Sequence, residues 1–146
     1  MKQNQKGITM VGLIVTVFVI VIIAGVCIYT GRDLLEEAKF EQIKTNMLLI
    51  QAKCQQVGER VVAKELTEAD YIGTGITLSD SDYEKYQKTK TENDKWYSLS
   101  ADNVKNDIGL GKIKVNDGDY LVNYADNEVI YTTGYNNMYK LSDLLK

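Results

Sequence analysis

The sequence predicts an α+β protein in which one long N-terminal α-helix, half transmembrane and half amphipathic, packs on a small antiparallel β-sheet head. Three observations predict this class. An uncharged apolar run comes first, an apolar stripe at helical spacing follows, and the rest of the chain alternates short β-rich segments with turns. By these boundaries residues 8–30 form the transmembrane half of the helix, residues 31–66 form its amphipathic half, and residues 67–146 form the globular head.

The apolar run covers residues 8–29 without one charged side chain. As a helix it would be about 33 Å long, close to the roughly 30 Å hydrocarbon core of a bilayer. Many of its residues are β-branched, but in lipid only a helix satisfies its own backbone groups. Lys2 and Lys6 precede the run, and the positive-inside rule therefore places the N-terminus in the cytoplasm. The run predicts a single-pass helix in the cell membrane.

Three other kinds of N-terminal segment also contain an apolar run. A secretory signal peptide has an apolar region of only about 7 to 15 residues, followed by small residues at the cleavage site. Here the run is longer, and Val26 stands where a small residue is needed, which also disfavours a lipoprotein signal ending at Cys27. A plain membrane anchor that carries an extracellular domain stays open, because the run alone fits it equally well.

The junction in front of the run separates these possibilities. Six residues with two lysines and no acidic side chain end at Lys6, and Gly7 leads directly into the apolar run. This junction resembles the cleavage and methylation motif of type IV prepilins and pseudopilins. The resemblance implies that residues 1–7 are a leader and that a prepilin peptidase cuts between Gly7 and Ile8. It also implies that Ile8 becomes the N-methylated first residue of the mature chain.

The next four residues resemble the family with one departure. Thr9, Met10 and Val11 fit the family pattern, but Gly12 stands where the family has a glutamate. In the family that carboxylate pairs with the N-terminal amine of a neighbouring subunit, and a buried ion pair that loses one partner is costly. Gly12 therefore implies either a minor or tip subunit, or a filament that handles the charge differently. By the same resemblance, Thr9 to Gly12 take part in assembly with other pilin subunits, in a homo- or hetero-filament.

An amphipathic stripe predicts that the helix continues beyond the membrane. Proline is absent from the chain, so nothing of that kind interrupts the helix. Seven apolar residues follow one another at alternating spacings of three and four: Phe40, Ile43, Met47, Ile50, Cys54, Val57 and Val61. Leu48, Ala52 and Val62 are expected to widen the stripe, and a widening stripe favours packing on the chain's own sheet. A two-chain coiled coil is the alternative.

The head is predicted to contain short elements only. A helix is expected at residues 100–108, because Ser100 can cap it and Gly109 can end it. Three strands at residues 112–115, 120–124 and 128–132 are expected to form an antiparallel meander. A helical turn is expected at residues 67–71, a loop at 73–75, and a short charged helix or irregular segment at 81–90. Trp96, Tyr97 and Leu99 are expected to be core residues. Residues 135–146 are expected to form a tail with a last helical turn at 142–145.

The head also resembles pilin-like proteins of low-GC Gram-positive bacteria. The shared features are the pair Trp96 and Tyr97, Gly-Leu-Gly at 109–111, Tyr-Leu-Val-Asn-Tyr at 120–124 and Val-Ile-Tyr at 129–131. The disulfide that staples the head of many Gram-negative pilins has no counterpart. The two cysteines, Cys27 and Cys54, would lie roughly 40 Å apart on one helix, so no bridge between them is expected, and Cys54 is expected to be a buried inert thiol.

The sequence carries no recognisable catalytic or cofactor motif. Without histidine an ordinary catalytic triad is impossible, and the two Gly-x-Gly pairs lack both the third glycine of a dinucleotide site and the lysine of a P-loop. Residues 116–119 could offer Asp117 and Asp119 to calcium, but no bidentate glutamate follows at loop spacing, so a hairpin turn is the better interpretation. We expect no enzyme, no cofactor and no metal.

Charge disfavours nucleic acid as a partner. The formal net charge is −3, whereas bulk electrostatic binding needs a basic face; only a small local patch stays open. Four lysines cluster among acidic residues and are expected to form a solvated face: Lys85, Lys88, Lys90 and Lys95. The leading hypothesis is therefore a structural subunit of a type IV pilus or of a secretion or competence pseudopilus, ending in an extracellular filament. The alternative is a single-pass, membrane-anchored extracellular binding module that does not form filaments.

Overall fold

The computed structural model describes the backbone of residues 4–146 and the side chains of residues 9–146. The predicted α+β class is confirmed, with one long helix and a five-stranded antiparallel sheet. The helices are α1 (Asn4–Val62), α2 (Asp80–Lys85) and α3 (Leu141–Leu144), with a 3₁₀ turn at Glu68–Asp70 and a π-helical turn at Asn103–Asp107. The strands are β1 (Thr74–Ile76), β2 (Trp96–Leu99), β3 (Tyr120–Asn123), β4 (Glu128–Tyr135) and β5 (Met138–Lys140).

The chain separates into two compact units, residues 1–40 and residues 41–146. In the first unit the described residues belong entirely to α1. The second unit contains the C-terminal part of α1 together with the sheet and the short helices, and is called the head unit below.

The strands of the sheet follow one another in chain order, from β1 at one edge to β5 at the other. Trp96 lies opposite Asn123 in the β2–β3 pair, and Tyr120 lies opposite Tyr131 in the β3–β4 pair. The last hairpin turns at Asn136 and Asn137, both of which have positive φ angles, a conformation that asparagine tolerates better than most residues. Every strand pair in the sheet is antiparallel and joins strands that are consecutive in the chain.

One face of the sheet is covered by α1. Met47, Ile50 and Cys54, the centre of the predicted stripe, are 0%, 0% and 1% exposed. The Gln51 Nε2 atom donates a hydrogen bond of 2.7 Å to the backbone oxygen of Asn127, in the turn between β3 and β4. The stripe thus packs on the chain's own sheet, as predicted, and its centre is not available for a two-chain coiled coil.

The predicted widening of the stripe is wrong. Leu48 is 38% exposed, Ala52 is exposed, and Val62 is 83% exposed. Each residue along an α-helix is rotated by about 100° from the one before it. Leu48 is therefore turned away from the sheet, whereas its neighbour Met47 faces it. Val62 is rotated in the same manner relative to its neighbour Val61. The buried residues of α1 therefore lie along one narrow line of the helix: Asn46, Met47, Ile50 and Cys54.

The opposite face of the sheet has a cover that the sequence did not predict. Trp96, Leu121 and Ile130 share this face and pack with three side chains from the segment around α2: Leu78, Tyr83 and Tyr86. Ser79 caps α2, since its hydroxyl accepts from the backbone N–H of Asp82 while the Asp82 carboxylate accepts from the backbone N–H of Ser79. With covers on both faces, all four residues of β3 are buried.

Residues 112–115 do not form the predicted strand. The positions beside β3 are taken by β2 and β4, so the alternating segment before β3 cannot pair with it. The turn at residues 116–119 therefore leads into β3 without being a hairpin turn, and the Asp119 carboxylate accepts from the backbone N–H of Asn116 at 2.8 Å.

Other boundaries differ by smaller amounts. The predicted loop at residues 73–75 contains most of β1, and the expected tail contains β5 before its last helical turn, α3. The helical turn at residues 67–71 is confirmed as the 3₁₀ turn. In the helix predicted at residues 100–108, Ser100 accepts from the backbone N–H of Asn103 as expected, but most of the segment is π-helical.

Candidate functional site

The first unit presents an apolar surface over residues 9–30, whereas residues 31–40 include five charged side chains. Side chains from Thr9 to Thr30 are all exposed, and Phe18 and Tyr29 are exposed by 66% and 75%. Among the described residues, α1 is the one helix long and apolar enough to cross a membrane. A contiguous apolar surface of this size marks a site of contact with lipid or with another protein.

The structure places the predicted processing residues at the start of this surface. The backbone of Gly7 and Ile8 belongs to α1, while the Ile8 side chain and residues 1–3 of the leader lie outside the described part of the chain. Met10 and Val11 are 68% and 63% exposed. Residues 9–12 span about one turn of helix, so together they cover all of its sides.

Gly12, the departure from the family pattern, is not required by the backbone of this chain. It lies within α1, and a Cβ atom built there would have nothing within 4 Å. A glutamate would therefore fit at this position, and the space around Gly12 gives no steric reason for its absence.

Two hydroxyl groups in the apolar segment have partners inside the helix. The Thr16 Oγ1 atom lies 3.0 Å from the carbonyl oxygen of Gly12 and 2.8 Å from that of Leu13, and Thr30 donates to the carbonyl oxygen of Val26 at 3.0 Å. A polar group in a bilayer must be satisfied internally because the hydrocarbon core contains no water. These threonines are therefore compatible with lipid.

The head unit contains a cluster of three tyrosines that the sequence did not predict. The rings of Tyr71 and Tyr124 are stacked, with centroids 4.0 Å apart, and Tyr97 meets both edge-on at 5.3 and 5.2 Å. The Tyr124 hydroxyl accepts from the backbone N–H of Ile72 at 2.8 Å and donates to the carbonyl oxygen of the same residue at 3.0 Å. These bonds fix the Tyr71 segment against the end of β3.

Burial changes the pKa of Tyr124, a member of this cluster, and that of the neighbouring Cys54 thiol. Burial raises the pKa of the Cys54 thiol to about 11, with an opposing contribution from its hydrogen bond to Tyr124. Burial also raises the pKa of Tyr124 above its ordinary value, and the neighbouring Cys54 raises it further. Near neutral pH both groups keep their protons, which agrees with an inert thiol at position 54.

The lysine cluster is largely neutralised by acidic partners. Lys90 lies 2.9 Å from a carboxylate oxygen of Asp80, Lys95 lies 2.9 Å from one of Glu68, and Lys88 forms an ion pair with Asp126. The remaining member, Lys85, lies over the ring of Tyr86 with its nitrogen 5.0 Å from the centroid. The cluster is thus a face of alternating charge rather than a basic patch.

No metal-binding group forms in the described part of the chain, where no three acidic or cysteine side chains come together to hold an ion. Asp117, one of the two carboxylates considered for calcium, accepts from the backbone N–H of Ala101 at 2.7 Å. The other, Asp119, is bound within its own turn. Both carboxylates therefore serve as backbone acceptors.

Comparison of the chain with protein-family models, with curated proteins and with solved structures finds no match.

Proposed function

We propose that this chain is a pilin-like structural subunit that is processed at Gly7 and Ile8 and assembled into a filament through its N-terminal helix. One observation carries the proposal: an exposed apolar helix follows a junction that resembles the prepilin motif, and the same helix continues into the part of α1 that covers the head's sheet. A plain anchor explains the apolar surface but gives no role to the junction. The filament would belong to a type IV pilus or to a related secretion or competence pseudopilus.

Processing is the first step of the proposed function. A prepilin peptidase in the membrane removes residues 1–7, and Ile8 receives a methyl group on its new amine. The short leader with Lys2 and Lys6 keeps the cleavage site at the cytoplasmic face. The uncut subunit is stored in the membrane with its helix in lipid.

Assembly transfers the apolar surface from lipid to neighbouring helices. Van der Waals contact between helices then replaces contact with lipid tails, and small residues favour it because they let backbones approach closely. Gly12 and Gly25 are such positions, since nothing lies within 4 Å of a Cβ atom built at either. The partners are therefore other pilin subunits, of the same or of different sequence.

Gly12 favours a minor or tip position within the filament. A subunit without the carboxylate cannot neutralise the amine of a neighbour, and an uncompensated buried charge destabilises the contact. At a tip this contact is not required. The proposal therefore places the subunit outside the repeating body of the filament.

Gly12 also favours a second candidate function, that of a membrane-anchored extracellular module that never assembles. Without the carboxylate at position 12, the charge pairing expected between subunits is missing. The two candidates share the membrane helix and differ in processing and in filament formation.

Shearing of the native cells tests assembly. We expect the subunit in the sheared filament fraction, and we expect Gly7→Leu to abolish its presence there while leaving the uncut chain in the membrane. Gly31→Ala is the matched control, because it places a side chain on a glycine of the same helix with open space around it, outside the junction and outside residues 9–12. Retention of the natural chain in the membrane fraction alone would favour the anchored module.

A further inference from the structure

We propose that the three-tyrosine cluster of the head unit forms a binding groove for a neutral, hydroxyl-rich glycan chain. Two open depressions of about 260 and 400 Å³ meet at Tyr71 and Tyr124, and they form one groove. This groove lies wholly within the head unit and plays no part in the proposed processing or in assembly through the N-terminal helix.

The floor of the groove is aromatic and firmly held. Tyr71, Tyr97 and Tyr124 each pack against the other two, and all three side chains are partly exposed. Because the hydroxyl of Tyr124 is bonded to the backbone of Ile72, the rings need no rearrangement to receive a ligand. Tyrosine offers a large contact area at a small cost in conformational entropy.

Gly58 leaves open space in front of the rings. A Cβ atom at this position would lie 3.5 Å from Cδ1 of Tyr124, which is ordinary contact, so the glycine is not required by packing. A longer side chain at position 58 would extend over the first depression. The groove can therefore be blocked from the helix without removing any of the tyrosines.

The rim supplies hydrogen-bonding groups but little free charge. The Gln55 side chain donates to the Glu59 carboxylate at 3.0 Å, and the one lysine of the rim, Lys95, is paired with Glu68. Asn93 adds an exposed amide. Amide and carboxylate oxygens accept from hydroxyl groups, and amide N–H groups donate to them.

The aromatic floor and the polar rim with little free charge together select the class of ligand. Phosphates and nucleic acids need unpaired cations, which the described residues of the rim do not provide. A wholly apolar ligand would leave the rim amides and carboxylates desolvated without partners. A neutral sugar matches both parts, because its C–H face stacks on an aromatic ring while its hydroxyl groups reach the rim.

The test uses the full chain in phospholipid nanodiscs, since detergents with sugar headgroups would compete. The probes are maltotetraose, cellotetraose and chitotetraose, with tetragalacturonate as the charged comparison, and the readout is the NMR shift of ¹³C-labelled tyrosine rings. We expect at least one neutral probe to shift the signals of Tyr71, Tyr97 and Tyr124 in a saturable manner. Tetragalacturonate is expected to bind at least about tenfold more weakly, a difference of about 1.4 kcal/mol.

Two variants and one control connect the shifts to the groove. Gly58→Leu is expected to weaken binding at least about tenfold by blocking the space before Tyr124, and Asn93→Ala is expected to weaken it by removing an exposed rim amide. Gly111→Leu makes the same addition at an exposed glycine that has open space around it and lines neither depression, and it is expected to change nothing.

Any of the following results would overturn the proposal. The first is the absence of saturable ring shifts with all neutral probes. The second is binding of the neutral probes that is not selective for the groove, either because neither Gly58→Leu nor Asn93→Ala weakens it or because tetragalacturonate binds equally tightly. The third is a shift of the same rings that grows with protein concentration without sugar, since a second copy of the chain would then occupy the groove.

Discussion

At the scale of single residues, Cys54 shows how the covering of the sheet determines side-chain chemistry. The sequence placed it on the apolar stripe, and in the structure it is 1% exposed beneath Tyr124. An ionised thiolate at this position would be poorly solvated, so the folded protein keeps the proton to a higher pH than the unfolded chain does. Cys27, on the exposed apolar surface, lacks such a cover.

The raised pKa of Cys54 predicts a loss of stability in alkali. The unfolded thiol releases its proton near pH 9.0, whereas the folded thiol keeps it to about 11. Above pH 9 the unfolded state therefore binds fewer protons, and the free energy of unfolding falls as pH rises through this interval, by roughly 3 kcal/mol in total. Burial likewise raises the pKa of Tyr120 to about 12, which adds a further decrease above pH 10.

Urea unfolding between pH 8 and pH 10 measures the contribution of the thiol before that of the tyrosine is large. Cys54→Ala should be less stable than the natural chain at pH 8 but should show a smaller decrease toward pH 10. Cys27→Ala is the control and should leave the slope unchanged. Equal slopes in all three proteins would contradict the assignment to Cys54.

At the scale of elements, the C-terminal part of α1 stabilises the head along a narrow line. Met47 and Leu48 are neighbours in sequence, yet Met47 is fully buried and Leu48 is 38% exposed. Large-to-small substitutions in a core cost the transfer free energy of the removed atoms and the free energy of the cavity that they leave. Exposed positions lack the second contribution.

We therefore expect Met47→Ala to lower the free energy of unfolding by about 2 to 5 kcal/mol, and Leu48→Ala to change it by no more than about 1 kcal/mol. Thermal or urea unfolding, followed by the near-UV signal of buried Trp96, measures both. Similar losses in the two variants would mean that the helix contacts the sheet more broadly than the structure shows.

The sequence predicted the elements whose pattern is long and repetitive. A stripe with seven members identified α1 and its buried side, and β-rich alternation correctly identified β3 and β4. The segment at residues 112–115 has the same alternation, but pairing is decided by which edges are free, and both sides of β3 are occupied. Local sequence carries no information about that competition.

The tyrosine cluster was unpredictable for a related reason. Tyr97 lies in β2 and Tyr124 directly follows β3, so a correct strand register would have brought them near each other. Tyr71 follows the 3₁₀ turn and reaches the same place through the hydrogen bonds of Ile72 with Tyr124. The proposed processing junction is the opposite case, because the resemblance that suggests it depends only on adjacent residues.

At the scale of the whole molecule, the chain is divided between a unit that needs lipid or protein contacts and a unit with its own core. The core of the head unit lies between the C-terminal part of α1 and the segment around α2, on the two faces of the sheet. The described residues before position 41 contribute no buried side chain to it. The head should therefore fold without the apolar segment.

A chain that begins at Arg32 tests this division. We expect it to be soluble and monomeric, with the near-UV circular dichroism of the full-length protein and a cooperative unfolding transition, because residues 41–146 retain every buried apolar residue of the core. Met47→Ala in the same truncated chain is the comparison and should unfold more readily. An aggregated product without a cooperative transition would show that the head depends on the first unit.

We propose that the junction of Lys6, Gly7 and Ile8 is processed, and intact-mass spectrometry of the chain purified from its native cells tests this proposal. We expect one mature species that has lost residues 1–7 and carries one additional methyl group, located on the amine of Ile8 by fragmentation. Gly12→Ala should be processed in the same manner, and Gly7→Leu should retain the leader. A natural chain that keeps residues 1–7, or that is cut anywhere other than between Gly7 and Ile8, would contradict the claim.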